Sequence, residues 1–210
     1  MEELEPKQYF SSHFAYASIK YQRLGPENEA SGAGRAVMDR QPCLATQADF
    51  ESLSLHDDTI YGLRFDTAEP ESGLWRADLV IDIDHIVEWV CAPGQRARFK
   101  VAPATLSFHD VTDLALAVDW GDSGHRTMLG SIAIDRLERQ PVPEPKICRV
   151  GPYYRWTIAL NCPKDGRITF GASGFTLALR EPPILSDGQQ LSQRLREASA
   201  PHTAHRSNIA

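Results

Sequence analysis

The sequence is poor in cysteine. Its four, Cys43, Cys91, Cys148 and Cys162, stand far apart, with no C-x-x-C and no Cys/His spacing of the kind that binds zinc. That argues against a structural zinc site and offers no disulfide framework. No apolar run approaches the roughly 18 residues that a membrane-spanning helix needs, and no basic-then-apolar signal opens the chain. A reduced, cytoplasmic protein with no membrane contact is the expectation. Positive charge is also short, at 22 Lys and Arg against 28 Asp and Glu. Nucleic acid is therefore a poor default partner. Phosphate-loop and nucleophile-elbow signatures are missing as well. "GASG" (171–174) has no lysine and no following helix, and Ser173 has no G-x-S-x-G context. "VDWGDSG" (118–124) lacks the D-x-D-x-D-G pattern and distal Glu of a calcium loop and reads as a turn.

Period-two alternation is the strongest signal present. "LWRADLVIDIDHIVEW" puts Trp75, Ala77, Leu79, Ile81, Ile83, His85, Val87 and Trp89 on one face. Arg76, Asp78, Asp82, Asp84 and Glu88 fall on the other, interrupted by Val80 and Ile86. Successive strand side chains point to opposite faces, so this is a half-buried strand, long enough to require a bend or bulge near Asp84-His85. On the apolar face His85 reads as a hydrogen-bonded core residue; a bulge would turn it beside Asp82 and Asp84. Further strands read as "IYGLRFD", "ARFKVAPATLSFHD", "DLALAVDW", "SIAIDRLERQPV", "YYRWTIALN", "GRITFGASG" and "FTLALRE". In "KICRVGPYYRWTIAL", alternation places Tyr154, Trp156, Ile158 and Leu160 inside and Tyr153, Arg155 and Thr157 outside, which favours a core strand over a stacking surface for single-stranded nucleic acid. The fold class is mainly β, an antiparallel β-sandwich or open barrel. Short helices are expected near each end: "TQADFESL" from Thr46, and "SDGQQLSQRLREAS", where Ser186 and Gln189 match a capping box.

Residues 1–45 are small, polar and Gly/Pro-rich over "PENEASGAGRAVMDRQP" and read as a flexible extension; Met38 offers an alternative start that would leave residues 1–37 outside the product. One β domain over 46–196 and a tail over 197–210 complete the expected organisation. Charge is unevenly spread. Residues 55–122 carry 13 acids against 5 bases, and the remainder 15 against 17. That asymmetry is either a solvated face or a surface for a basic partner.

"LHDDTIYGLRFD" (55–66) and "FHDVTDLALAVD" (108–119) share His56/His109, Asp57/Asp110, Thr59/Thr112, Leu63/Leu116 and Asp66/Asp119, a short internal repeat. Two chemistries fit it. If His56, Asp57, His109 and Asp110 converge, with Asp82 and Asp84 two apart on a strand, imidazole and carboxylate would suit a divalent metal such as zinc, manganese or iron and support hydrolysis. If they do not, each Asp accepts backbone N–H groups in a turn before a strand and the histidine is its packed neighbour. The second needs no cofactor.

"FESLSLHDDTIYGLRFD", "ADLVIDIDH" and "TLSFHDVTDLALAVDW" together resemble small, mostly β, functionally uncharacterised bacterial domains in which a His-Asp pair precedes the first long strand, some of them classed as immunity proteins of toxin systems. The resemblance covers residues 50–120 and implies a compact binding module with no catalytic residues. On this reading an acidic face of Asp58, Asp78, Asp82, Asp84 and Glu88 meets a basic protein partner. The alternative is a metal-dependent hydrolase at the His-Asp pairs. Nothing in the sequence sets the oligomeric state.

Overall fold

The computed structural model describes residues 43–67, 77–121, 130–145 and 151–198. Residues 1–42 of the extension, with the alternative start at Met38, and the tail beyond residue 198 lie outside the described residues; Cys43–Ala45, read as extension, belong to a strand, and residues 197–198, read as tail, to a short helix. All of these described residues belong to one compact unit, Asp39–Ala210. Ten strands build it: β1 (Cys43–Thr46), β2 (Thr59–Thr67), β3 (Ala77–Val90), β4 (Arg98–His109), β5 (Thr112–Ala117), β6 (Ile132–Pro141), β7 (Tyr154–Cys162), β8 (Arg167–Ala172), β9 (Gly174–Leu179) and β10 (Ile184–Ser186). Every pairing is antiparallel, in the order β1-β9-β4-β3-β2-β6-β7-β8-β5, with β10 added on β4. The mainly β, antiparallel fold follows from the alternation in the sequence.

This one sheet doubles over on itself. β3 and β4 pair in register, Leu79 with Phe108, Ile81 with Leu106 and Ile83 with Ala104, so all six side chains share one fully buried face. Opposite them sits β7. The Phe108 ring lies 5.4 Å from Trp156 of β7 and 4.6 Å from Phe170 of β8, strands that are not its neighbours in the sheet. Trp156, fully buried, also meets Phe50, Tyr154 and Phe175 at 5.6–5.7 Å and anchors the core. The fold is held open where the ends of the sheet, β1 and β5, pair on one side only. β2 leaves β6 early, pairing with it only at Thr59 and Ile60.

The chain passes from one half of the doubled sheet to the other at "GASG", between β8 and β9. Ser173 turns the corner, its N–H donating to the His109 carbonyl and its hydroxyl to Asp110. At Gly174 the Gln47 side-chain amide packs against the bare backbone, and a Cβ there would oblige that amide to move aside.

Local signals and tertiary structure part company in four places. The N-terminal helix shrinks to a 3-10 turn, Gln47–Asp49, although Thr46 and Asp49 form a full capping box. Ser186 caps no helix: Ile184–Ser186 is drawn onto β4 as a strand, and the helix among the described C-terminal residues is the six-residue α1 (Gln193–Ala198). The irregularity in β3 against β4 falls between Ile86 and Glu88, past His85, so His85 stays buried. Tyr153, expected outside, is buried because it precedes β7 and escapes its alternation; its hydroxyl donates to the Asp110 carbonyl. No described helix is long and apolar enough to cross a membrane.

Candidate functional site

Both His-Asp pairs form the same local structure. Asp57 and Asp110 each adopt a left-handed backbone, φ 65° and 55°, which Asp tolerates better than most residues, and each stands shortly before a strand that starts at Thr. The Asp57 carboxylate accepts from Asn161 Nδ2 at 2.5 Å and Gln189 Nε2 at 2.9 Å. Asp110 accepts from Ser173. His56 is half-exposed and donates from Nδ1 to the Asp135 carbonyl at 3.0 Å. His109 is held more firmly, by Asp78 Oδ2 at 2.9 Å on Nδ1 and Thr176 Oγ1 at 3.2 Å on Nε2.

The two pairs do not converge. Thr59, just after the first pair, lies opposite Asp84, whereas Asp78 holds His109 and the Asp110 N–H. Asp78 and Asp84 are six residues apart on β3, which at roughly 3.3 Å per residue separates the pairs by about 20 Å. A centre using both His56, Asp57 and His109, Asp110 is therefore not formed. Among the described residues no group of three His, Cys, Asp or Glu side chains is placed to hold a metal ion.

The structure assembles instead a polar strip on the outer face of β2, β3 and β4. Of the five acids expected to face a partner, Asp78, Asp82 and Asp84 lie on it, alternating with the buried Leu79, Ile81 and Ile83. At one end Asp66 stands directly opposite Asp78. In the middle, Asp82 sits over the bare backbone of Gly62, where a Cβ would come within 3.1 Å of its carboxylate. There it accepts from Arg64 at 2.9 Å, from Arg180 Nη1 at 3.0 Å and from Thr105 at 3.3 Å. At the other end Asp84 is fully buried beneath the segment leading to α1, accepting the Leu191 N–H at 2.8 Å with the Arg196 guanidinium 3.9 Å away. Burial pushes the Asp84 carboxyl above its ordinary range, against the lowering influence of the Leu191 N–H and Arg196. Burial likewise lowers the Arg180 guanidinium.

The remaining two acids leave this face. Asp58 is fully buried; its Oδ2 takes the Nδ1–H of His85 at 2.7 Å and its Oδ1 the Ile86 N–H at 2.8 Å. Glu88, beyond the β3 irregularity, is exposed and pairs with Lys100 at 2.6 Å. Asp58 and Asp84 are thus structural interior groups, out of a partner's reach, and Asp82 and Glu88 are neutralised within the chain. Sequence reading missed Arg180, Arg196 and Tyr61, which complete the strip. The only trace of Arg180 was a charge closing the apolar run "FTLAL". The chain matches no family model, no curated protein and no solved structure.

Proposed function

We propose that this domain is a binding module that meets a basic protein partner at the end of the strip where β2, β3, β4 and β5 come together. One observation carries the reading: Asp66 faces Asp78 across the strands, and like charges directly opposite destabilise a sheet. Asp78 has His109 as a partner, whereas Asp66 is exposed and forms no ion pair among the described residues. Asp113, another exposed acid, is the second residue of β5, which follows His109 and Asp110 in the chain. A cationic surface laid across Asp66 and Asp78 would relieve their repulsion and gain from electrostatic steering. The immunity-type role suggested by the sequence resemblance, inhibition of a basic toxin, is the specific form of this reading. The free thiols of Cys43, Cys91 and Cys162 suit a reducing cytoplasm as its setting.

Affinity capture from the producing cells, quantified side by side for wild type, Asp66→Lys and Asp187→Lys, tests the proposal. Asp187 is an exposed acid on a different part of the chain, paired with Arg98. The expected result is a basic protein retained by wild type and Asp187→Lys and lost from Asp66→Lys. Equal capture by all three proteins overturns the proposal.

A further inference from the structure

A buried donor with no acceptor costs about 1–3 kcal/mol and is rare in folded chains. The strip contains several such groups side by side. The Arg180 side chain is 4% exposed. Its Nη1 is engaged by Asp82, while its Nε and Nη2 are buried without a hydrogen-bond partner. Those two N–H groups share one edge of the guanidinium, the edge that grips a carboxylate through two parallel hydrogen bonds. The Tyr61 hydroxyl is also buried and unpartnered. Its ring lies 5.5 Å from the Arg180 guanidinium carbon and 4.9 Å from that of Arg196, so the orphaned groups occupy one neighbourhood.

We infer that Arg180 and Tyr61 form a recognition site for a small monoanionic carboxylate, held edge-on by Arg180 Nε and Nη2 and hydrogen-bonded by the Tyr61 hydroxyl. Asp82 occupies only the Nη1 side of the Arg180 guanidinium, and the two oxygens of a planar carboxylate match the parallel N–H groups of the Nε and Nη2 edge. A dianion such as phosphate fits less well, because Asp82 already places a negative charge on the other side of the same guanidinium. This site lies apart from the Asp66–Asp78 end, and its failure would leave the partner proposal standing.

The test uses the full chain, isotopically labelled, with sodium acetate as the probe and sodium chloride at matched ionic strength as the reference. The Arg180 Nε–H resonance is followed by NMR. The expected result is a saturable shift in acetate with a dissociation constant on the order of millimolar, within reach of a ligand of so few atoms. Arg180→Lys keeps the charge but not the fork and should weaken acetate binding, followed by calorimetry, at least about tenfold. Tyr61→Phe keeps the ring against both arginines and should weaken it about tenfold, as loss of one hydrogen bond implies. It carries the test if Arg180→Lys does not fold. No shift beyond that in chloride would mean that water alone satisfies these groups, and the inference fails. Tighter binding of phosphate than of acetate would overturn the carboxylate assignment.

Discussion

The two faces of β3 close against their surroundings by different physics. On the inner face Leu79, Ile81 and Ile83 are fully buried among aromatic and aliphatic side chains, where any apolar group of the right volume gains by leaving water. On the outer face Asp84 is equally buried, yet it is held by a backbone N–H from Leu191 and faces a guanidinium. The inner face asks only for area and shape. The outer face demands a partner for each polar atom, and the groups there that lack one mark where a ligand would be stabilised. On the proposed readings, structure and function divide between the two sides of one strand.

The sharpest way to break the inner half of this contrast is Trp156→Ala. Trp156 touches both halves of the doubled sheet, so the cavity cannot collapse from one side alone. A loss of about 3–5 kcal/mol is expected, read from urea denaturation. A loss below about 1 kcal/mol would mean that the core repacks and that the two halves do not depend on this ring.

The inner face was legible in the sequence because its rule is local. Leu79, Ile81 and Ile83 recur every second residue, and so do Trp156, Ile158 and Leu160, and no distant residue is needed to see it. The outer face was half legible. Asp82 and Asp84 were placed together by the same periodicity, but Arg180, which pairs with Asp82, lies 98 residues along the chain, and Leu191 lies 107 residues from Asp84. No local pattern announces such partners. The same limit explains Ser186, whose capping signature competes with three residues of pairing onto β4 and yields to it. Asp58 looked like a surface acid because it stands in a polar run, and only the fold shows His85 and the Ile86 N–H closing around it.

A pH titration of stability sharpens the outer half. Asp84 has its carboxyl raised above the ordinary 3.8, chiefly by burial. Between 3.8 and the raised value the folded chain holds a proton that the unfolded chain has released. Stability from this group is therefore greatest below that window and falls as pH rises through it. Asp84→Asn retains an oxygen for the Leu191 N–H and cannot ionise, so its stability should fall less steeply over the same pH range. Denaturation midpoints of both proteins measured from mildly acidic to neutral pH decide the matter: parallel slopes would show that Asp84 ionises in the folded state as freely as in water.

The smallest effects distinguish the two His-Asp turns from each other. Because the repeat is one of backbone conformation and not of a shared site, its two histidines need not matter equally. His109 exchanges hydrogen bonds with both Asp78 and Thr176, whereas the half-exposed His56 side chain makes one hydrogen bond, to the Asp135 carbonyl, with the Asp57 and Asp135 carboxylates farther off at 3.7 and 3.6 Å. His109→Ala should cost about 1 kcal/mol and leave Asp78 facing Asp66 without its partner. His56→Ala should stay within about 0.5 kcal/mol, as surface substitutions away from special features do. Thermal melts of the two variants at one pH give the comparison directly. Equal and large losses would point to a common role that the roughly 20 Å between the pairs does not otherwise allow.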